Sequence, residues 1–293
     1  MDLQDLQLFC DVVRLHSFSK GADLHRVSQS AASQAVRKLE KNLGLPLLDR
    51  SKRPFRLSPQ GESYYEGCRR LLREYRSVEE KVRSSGVEIS GSVRVAAIYS
   101  VGLHELQQYF RQFMQAFPGV KVRVEYLRPT AVHKAVSQDE ADLGLISYPK
   151  EGGGLASIPL RNEPMVLACR PSHPLAKKQA IRSSDLQGTD FIAFDPDLFI
   201  RQAVDKALKR RKIQVNVIMD FDNIENIKGA LLEVDAVSIL PRPTLRRELE
   251  IGALVAKPLA FARLSRPLGI IHRRDKTLTP AMERFIEGLR AAS

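Results

Sequence analysis

The sequence predicts an α/β protein with a helical N-terminal part, one long helix and a larger region of alternating strands and helices. Three observations predict this organisation. Apolar residues recur at helical spacing through residues 2–43, a heptad pattern runs from Pro59 to about Ser84, and Val-rich runs alternate with amphipathic segments from residue 92 onward. With 293 residues, the chain exceeds the usual size of one domain, so several units are expected.

The composition is that of a globular protein with a strong positive charge. Hydrophobic residues make up 43% of the chain, and 46 Lys and Arg against 34 Asp and Glu give a net charge of +12. A positive charge of this size suits a polyanionic partner such as nucleic acid. A basic surface that serves only solubility is about as common as one that binds such a partner. The first residues are acidic, and no apolar run is long enough to span a membrane. We therefore expect a soluble, cytoplasmic protein with no membrane partner.

The sequence has none of the common signatures of an enzyme or a metal site. It lacks a P-loop, a GxSxG motif, a GxGxxG motif after a strand and a paired-histidine motif. Cys10, Cys68 and Cys169 lie far apart, which predicts neither a disulfide framework nor a zinc site. His173, within SHPLA, is expected to be a loop residue and not a catalyst. We expect no enzymatic activity, no metal and no cofactor.

The first three predicted helices have the order and spacing of a helix-turn-helix. Helices are predicted over residues 2–15 and near 18–24, and Ser28 can then cap a third helix that ends at Gly44. One face of the third helix is apolar: Ala32, Val36, Leu39 and Leu43. The opposite face bears short polar or long basic side chains: Gln29, Ser30, Ser33, Gln34, Arg37, Lys38 and Lys41. Such a face fits the major groove of DNA, and a plain solvated face is the alternative.

A basic segment, LLDRSKRPFRLSPQG, follows the third helix. Its Arg and Lys residues surround a proline between two short apolar runs, which is typical of a β wing. A basic wing beside a recognition helix contacts phosphates or the minor groove. The sequence therefore predicts a winged helix-turn-helix DNA-binding domain over residues 1–58. The predicted DNA contacts from the wing are Arg50, Lys52 and Arg53.

Residues 59–85 are predicted to form one long linker helix. Its apolar residues are spaced 4, 3, 4, 3 and 4: Tyr64, Cys68, Leu71, Tyr75, Val78 and Val82. Nearly three heptads cannot bury such a stripe alone, so we predict dimerisation with the same helix of an identical chain. Cys68 is expected to be a small core residue and not a redox switch. Gly and Ser residues over 86–91 then predict a hinge.

Residues 92–293 repeat strands and helices in a βαβ order. The predicted strands lie at 93–98, 120–126, 142–147, 165–169, 191–194, 215–221, 236–240 and 268–272. The predicted helices lie at 103–117, 131–137, 198–211, 223–233 and 279–291. This order predicts a mainly parallel sheet in two sub-domains. Because open α/β sheets bind ligands beyond the carboxyl ends of their strands, the ligand is expected at five loops, which begin at Ser100, Arg128, Ser147, Asp195 and Asp222.

The segment from DLQLF at residue 5 to SYY at residue 65 includes the motifs SQSAAS, RKLE, LLDR and LSPQG. This segment is similar to the DNA-binding signature of the LysR-type transcriptional regulators, a family that the chain resembles over essentially its whole length. The elements LISYP, SHPLA and SILP in the second half are weaker matches. The resemblance implies a dimerising linker helix and a type 2 periplasmic-binding-protein-like effector domain. Its two sub-domains would span about 92–163 with 266–293, and about 164–265.

The resemblance also implies roles for particular residues. By matching position, Gln29, Ser30, Ser33, Gln34 and Arg37 would face the major groove, and Arg50 and Arg53 would serve the wing. Ser100 and Thr130 match positions that contact the effector in the family. The chain departs from the family where two glycines commonly precede the ILP element, because it has Val234 and Ala236 there. The side chains are expected to occupy that wall of the cleft, so that the effector is smaller or differently placed.

We expect a small, anionic effector between the sub-domains. Ser100 and Thr130 each follow a strand and open a predicted helix, whose terminus favours negative charge. Arg201 could donate across the cleft, and a surface salt bridge is the alternative for it. Ser147 and Asn223 complete the predicted effector site. Simple helix capping by Ser100 and Thr130 is the other interpretation.

These observations together predict a sequence-specific DNA-binding transcriptional regulator that an effector modulates. The expected partners are double-stranded promoter DNA, a small-molecule effector and further copies of the chain in a homodimer or homotetramer, with RNA polymerase as another candidate. An effector-independent DNA-binding protein with a vestigial ligand domain is the alternative. A solute-binding protein is disfavoured by the DNA-binding head and by the acidic start of the chain.

Overall fold

The computed structural model describes residues 2–52, 54–83, 89–102 and 106–291, and the chain forms two compact units. The first unit is Met1–Gly86 and the second is Val87–Ser293. Within the described residues, no helix is both long enough and apolar enough to cross a membrane.

The first unit, called the head here, is a three-helix domain with a short β hairpin and a long helix. Its elements are α1 Leu3–Arg14, α2 Phe18–His25, α3 Gln29–Leu43, β1 Leu48–Asp49, β2 Arg56–Leu57 and α4 Pro59–Arg83. Ser28 caps α3 as predicted, since its hydroxyl accepts a hydrogen bond from the backbone N–H of Ala31 at 3.1 Å. Gly44 ends the helix with a left-handed φ of 69°.

The core of the head includes the first half of α4. Phe9 and Leu39 are almost fully buried there, and Cys68 and Leu72 of α4 pack into the same cluster. A close approach holds α4 against the hairpin, because a Cβ at Gly61 would lie 2.0 Å from the carbonyl oxygen of Leu47. The head therefore fixes the first half of α4, and the second half extends beyond it.

The second unit contains nine strands and eight α-helices within its described residues. The strands are β3 Gly91–Ala97, β4 Val120–Tyr126, β5 Leu143–Ser147, β6 Leu155–Cys169, β7 Asp190–Phe194, β8 Asn216–Phe221, β9 Ser238–Pro241, β10 Val255–Lys257 and β11 Ser265–Arg273. The helices are α5 Tyr99–Gly102, α6 Leu106–Ala116, α7 Pro129–Ser137, α8 Ser183–Leu186, α9 Phe199–Arg210, α10 Ile224–Glu233, α11 Arg246–Glu250 and α12 Pro280–Ala291. The predicted helix over 103–117 is thus described only from Leu106, and residues 103–105 lie outside the described part.

The prediction of a mainly parallel sheet was wrong. Seven strands follow the order β10-β6-β11-β5-β3-β4, with β9 paired to β6. The β3–β4, β3–β5 and β7–β8 pairs are parallel, but β11 is antiparallel to both β5 and β6, and β6 is antiparallel to β9 and β10. The reason is the long strand β6, which runs through the sheets of both sub-domains, while β11 runs back beside its first half.

The second unit has two separate hydrophobic cores. One core surrounds β3, β5, β11 and α12, with Phe285 at its centre, and defines sub-domain I. The other lies around β7, β9 and the second half of β6, and defines sub-domain II. The chain passes between the two cores at β6 and β11, where Glu163 is the cross-strand partner of Arg266 and Pro164 that of Ser265. Sub-domain II is therefore joined to sub-domain I through two adjacent strands.

A buried charge cluster lies in sub-domain I at the start of β5. The carboxylate of Asp142 accepts hydrogen bonds from Arg94 at 2.7 Å and from Lys276 at 2.6 Å. Burial alone would raise the pKa of Asp142, but the bonds and charges of Arg94 and Lys276 outweigh it and hold the pKa below its ordinary value. The cluster ties β3, the start of β5 and the chain after β11 together.

Candidate functional site

The polar face of α3 is exposed, as a DNA-reading surface requires. Ala32, Val36 and Leu39 are buried on the opposite face, so they fix the orientation of the helix on the head. Of the predicted base-reading residues, Gln29, Ser30, Gln34 and Arg37 are exposed and Ser33 is half-buried. Leu43, predicted as part of the apolar stripe, is 41% exposed because the helix ends immediately after it. The predicted polar surface of α3 is therefore present, but Leu43 does not belong to the buried face on the opposite side of the helix.

The wing is held to α3 by Glu40. The carboxylate of Glu40 accepts hydrogen bonds from the backbone N–H groups of Leu47 and Leu48 and from Arg50 at 2.8 Å. Arg50 therefore has a structural partner, and its guanidinium also lies over the ring of Phe18. Lys52 is exposed beside Asp49, and Arg53 lies outside the described residues.

The predicted linker seam divides into two parts. Cys68 is only 5% exposed and Tyr64 packs against the same head core, so neither is free to meet a partner helix as predicted. The remaining four residues are 46–69% exposed: Leu71, Tyr75, Val78 and Val82. Apolar side chains at this spacing and exposure are typical of a helix that pairs with another.

A cleft lies between sub-domains I and II of the second unit. Its lining is mostly apolar, with Tyr99, Phe194 and Phe199 among the aromatic side chains, and encloses a cavity of about 50 Å³. Of the predicted effector residues, Ser100, Ser147 and Asn223 line it. The carboxyl ends of β3, β5, β7 and β8 thus lie at one cleft, where the predicted loops at Ser100, Arg128, Ser147 and Asp222 meet.

Two predicted effector residues lie elsewhere. Thr130 is the second residue of α7 and is exposed, because the helix begins at Pro129 and not at residue 131. Arg201 points back into its own sub-domain, where Nη1 donates to the carbonyl oxygen of Phe194 at 2.6 Å and Nε donates to Asp205. The alternative for Arg201, a salt bridge, is what the structure contains. Thr130 is not among the residues that line the cleft, so the two residues of the expected anion cradle do not meet there.

The floor of the cleft holds a buried ion pair that the sequence analysis missed. Arg266 is 1% exposed and donates to Glu163 through both Nε and Nη2, while its Nη1 donates to the hydroxyl of Ser100 at 2.8 Å. Glu163 also accepts from Arg161 at 2.9 Å. Burial lowers the pKa of Arg266, and the carboxylate of Glu163 opposes that shift. Ser100 is therefore engaged by a charged neighbour within the protein.

Tyr148 lies next to this pair in an unusual conformation. It follows β5 with a φ of 52°, and its hydroxyl is buried with no hydrogen-bond partner among the described residues. Burial raises the pKa of this hydroxyl, while the charge of Arg266 acts in the opposite direction. A buried polar group without a partner is costly, so Tyr148 has unused hydrogen-bonding capacity beside the Arg266 ion pair.

Two positively charged side chains connect the rims of the cleft across the two sub-domains. Arg128, the residue before α7, lies 2.7 Å from a carboxylate oxygen of Asp195 and 3.5 Å from one of Asp222. Lys150 lies with its Nζ 4.0 Å from the centroid of the Phe199 ring. The pKa of Asp195 lies above its ordinary value. Burial and three neighbouring carboxylates raise it, and the opposing effect of Arg128 is smaller. The cations belong to sub-domain I and their partners to sub-domain II.

The departure at Val234 and Ala236 does not narrow the cleft. Ala236 is 1% exposed, and Val234 packs against the core of sub-domain II with an ordinary φ of −109°. Neither residue is among those that line the cleft. The expectation that their side chains occupy the cleft wall was therefore wrong.

Family models match both units of the chain. Residues 3–62 match the bacterial regulatory helix-turn-helix protein, lysR family, and residues 87–293 match the LysR substrate binding domain. The chain belongs to the LysR family. It is thus a transcriptional regulator with a DNA-binding helix-turn-helix head and an effector-binding domain, which the second unit provides.

Relatives and solved structures agree with this assignment. The chain is 26% identical to the uncharacterized HTH-type transcriptional regulator YbhD of Escherichia coli strain K12, over 97% of this chain and 89% of that protein. It is 24% identical to the DNA-binding transcriptional dual regulator OxyR of the same strain, over 99% and 95%. A full-length OxyR variant from Pseudomonas aeruginosa has the same fold, with a TM-score of 0.77, 22% identity and coverage of 100% and 94%. CbnR in complex with its target DNA has a TM-score of 0.67 at 19% identity, with full coverage of both chains.

Proposed function

We propose that this regulator binds promoter DNA in the cytoplasm through α3 and the wing, as a dimer joined by α4, and that a small molecule in the sub-domain cleft modulates the binding. The observation that carries the proposal is the polar face of α3, exposed beside the Glu40-anchored wing. DNA binding and ligand exchange, without a catalytic step, account for the function.

We propose that Gln29, Ser33 and Gln34 read bases and that Lys52 and Arg53 hold the DNA backbone. Gln34 is exposed in the middle of α3, where an amide can form paired hydrogen bonds to adenine. Lys52 is exposed on the wing, where a positive charge attracts any phosphate.

Selection from a random DNA library by the purified full-length protein tests the reading of sequence. A discrete enriched motif is expected, and the Gln34→Ala variant should lose about 1–3 kcal/mol of binding free energy at one base step. The Lys52→Ala variant is the control, since it should weaken all sequences similarly and reduce the salt dependence by about one unit. Enrichment no better than random DNA would contradict the proposal.

We propose that α4 pairs with the α4 of a second chain through Leu71, Tyr75, Val78 and Val82. Leu71→Glu would place an unpaired carboxylate in that contact, so the variant should sediment as a monomer. Ser63→Glu is the matched control, because it adds the same charge at an exposed position of the same helix. Equal sedimentation of the two variants would contradict the pairing. Tetramers and contact with RNA polymerase are proposed further on the family resemblance alone.

The effector is proposed to lie beside Ser100, Ser147 and Asn223, with its apolar body against the aromatic side chains of the cleft. Thermal unfolding of the full-length protein with a panel of small carboxylic acids, amines and neutral aromatic compounds would find a ligand, because a bound ligand stabilises the folded state. The small volume of the cavity favours a second candidate, a regulator that needs no effector. No shift with any compound, together with DNA binding that responds to none of them, would favour that candidate.

A further inference from the structure

The cleft encloses little free space in this structure. A cavity of about 50 Å³ has room for a few water molecules, since one water needs about 10–15 Å³. A cavity that holds a molecule as small as benzene measures about 150 Å³. A ligand of that size or larger therefore fits only if the two sub-domains move apart.

The connection between the sub-domains allows such a movement. The strand pair β6 and β11 joins them, and the crossing point lies at the Glu163–Arg266 and Pro164–Ser265 pairs. The buried ion pair of Glu163 with Arg266 fixes this crossing point. Two adjacent strands form a pivot, because small changes of their backbone angles rotate everything that follows.

The contacts that oppose this rotation lie at the rims, away from the pivot. Arg128 contacts Asp195 and Asp222, and Lys150 lies over Phe199. In each contact a cation of sub-domain I meets an acidic or aromatic partner of sub-domain II. The Arg128 side chain is 48% exposed, so solvent and salt reach it in the closed form.

We propose that Arg128 and Lys150 act as a latch that holds the cleft closed in the absence of ligand. The proposal rests on the proposed function of the cleft as the effector site, and it assigns the regulation of that site to these two residues. A latch of this kind is readily released, because one exposed ion pair changes an equilibrium by only about 1.5- to 5-fold. Because only open molecules bind ligand, the apparent affinity is reduced in proportion to the fraction of molecules that are open. The latch therefore sets the effector concentration at which the regulator responds.

The negative charge around Asp195 strengthens the latch. The carboxylates of Asp197, Asp220 and Asp222 all act on Asp195, and Arg128 is the cation that offsets them. Opening the cleft removes that cation and leaves the four carboxylates to repel one another. Closure by Arg128 is therefore favoured even though both partners remain partly exposed.

The distance between the sub-domains of the full-length, ligand-free protein tests the proposal. Spin labels on cysteines introduced at Lys134 of α7 and Lys206 of α9, both exposed, report this distance by pulsed electron resonance after dilution with unlabelled chains. We expect Arg128→Gln and Lys150→Gln each to raise the ratio of open to closed molecules by about 1.5- to 5-fold, and the double variant to raise it by more. Arg123→Gln is the matched control, since it removes the same charge from an exposed position on β4.

Salt provides a second measurement on the same samples. About 1 M NaCl screens charges beyond about 3 Å, so it should open the parent protein but barely change the double variant. Distance distributions that coincide for the parent, both single variants and the double variant would overturn the latch. Because no ligand is present, this result does not depend on the effector. An open double variant that binds no compound of the panel would retain the latch and reject the proposed effector function.

Discussion

The strongest expected effect on the stability of the second unit is the loss of the buried charge pair on the cleft floor. Glu163→Gln keeps the shape of the side chain but removes its negative charge, and Arg266 is then a buried cation without a counter-charge. Both residues are about 2% exposed or less, and Arg266 directs two of its three described hydrogen bonds to Glu163. Removing one partner of such a pair costs about 3–5 kcal/mol of unfolding free energy.

The hydrogen bond from Arg266 to the hydroxyl of Ser100 allows a second, smaller loss to be compared with this one. Ser100→Ala removes one hydrogen bond from Arg266, which should cost about 1.5–3 kcal/mol. Replacing the pair by apolar residues, as in the double variant Glu163→Leu with Arg266→Met, should cost less than Glu163→Gln, because no charge remains buried. Glu163→Gln is therefore expected to cost the most of the three.

Urea unfolding of the full-length protein, followed by circular dichroism, measures these losses. The two units need separate transitions in the fit, since the head and the second unit have separate cores. Glu151→Gln is the matched control, because Glu151 is paired with Arg274 at an exposed position of the same unit and its loss should change stability little. A loss below about 1 kcal/mol for Glu163→Gln would refute the view that this pair is desolvated.

Three further outcomes are expected. Gly61→Ala should abolish the stable fold of the head, because the new Cβ would collide with the carbonyl oxygen of Leu47. Gly67→Ala on the same helix meets open space and should raise the free energy of unfolding by about 0.5–1 kcal/mol. Thermal unfolding distinguishes the two variants. Ser28→Ala should cost the head about 1 kcal/mol and weaken DNA binding in a titration, since α3 loses its cap. The pKa of Asp142 is lower in the folded than in the unfolded state, so its stabilisation is complete above about pH 4 and is lost as the pH falls through the folded pKa. Asp142→Asn should flatten the fall of stability at acidic pH, and an unchanged acid profile would contradict this.

Local patterns explain why the head could be predicted closely from the sequence. Ser28, the apolar stripe of α3 and Gly44 are all signals within one helix, and the structure contains that helix at Gln29–Leu43. The heptad pattern of α4 is also a local signal, and the structure contains that helix at Pro59–Arg83. Whether Cys68 faces the chain's own head or a second chain depends on tertiary packing, so the seam was predicted too far toward the start of the helix.

The cleft was predicted less well because its geometry depends on distant residues. The pairing of Glu163 with Arg266 joins positions 103 residues apart, and neither residue has a local signal of its partner. The first half of β6 was missed because Pro159 and Pro164 interrupt the strand pattern. Sequence position placed Thr130 and Arg201 near the cleft, but it could not show which way their side chains point.

The crossing point of β6 and β11 makes sub-domain II an insertion in a β hairpin. Glu163 and Arg266 face each other on adjacent antiparallel strands, about 5 Å apart at their Cα atoms, and residues 164–265 depart and return between them. A two-residue Asn-Gly turn could close the same gap. Sub-domain I with β3, the first strand after the linker helix, would then be one continuous fold. The second unit is consequently built so that half of it could be exchanged for another domain without redirecting the chain of the half that remains.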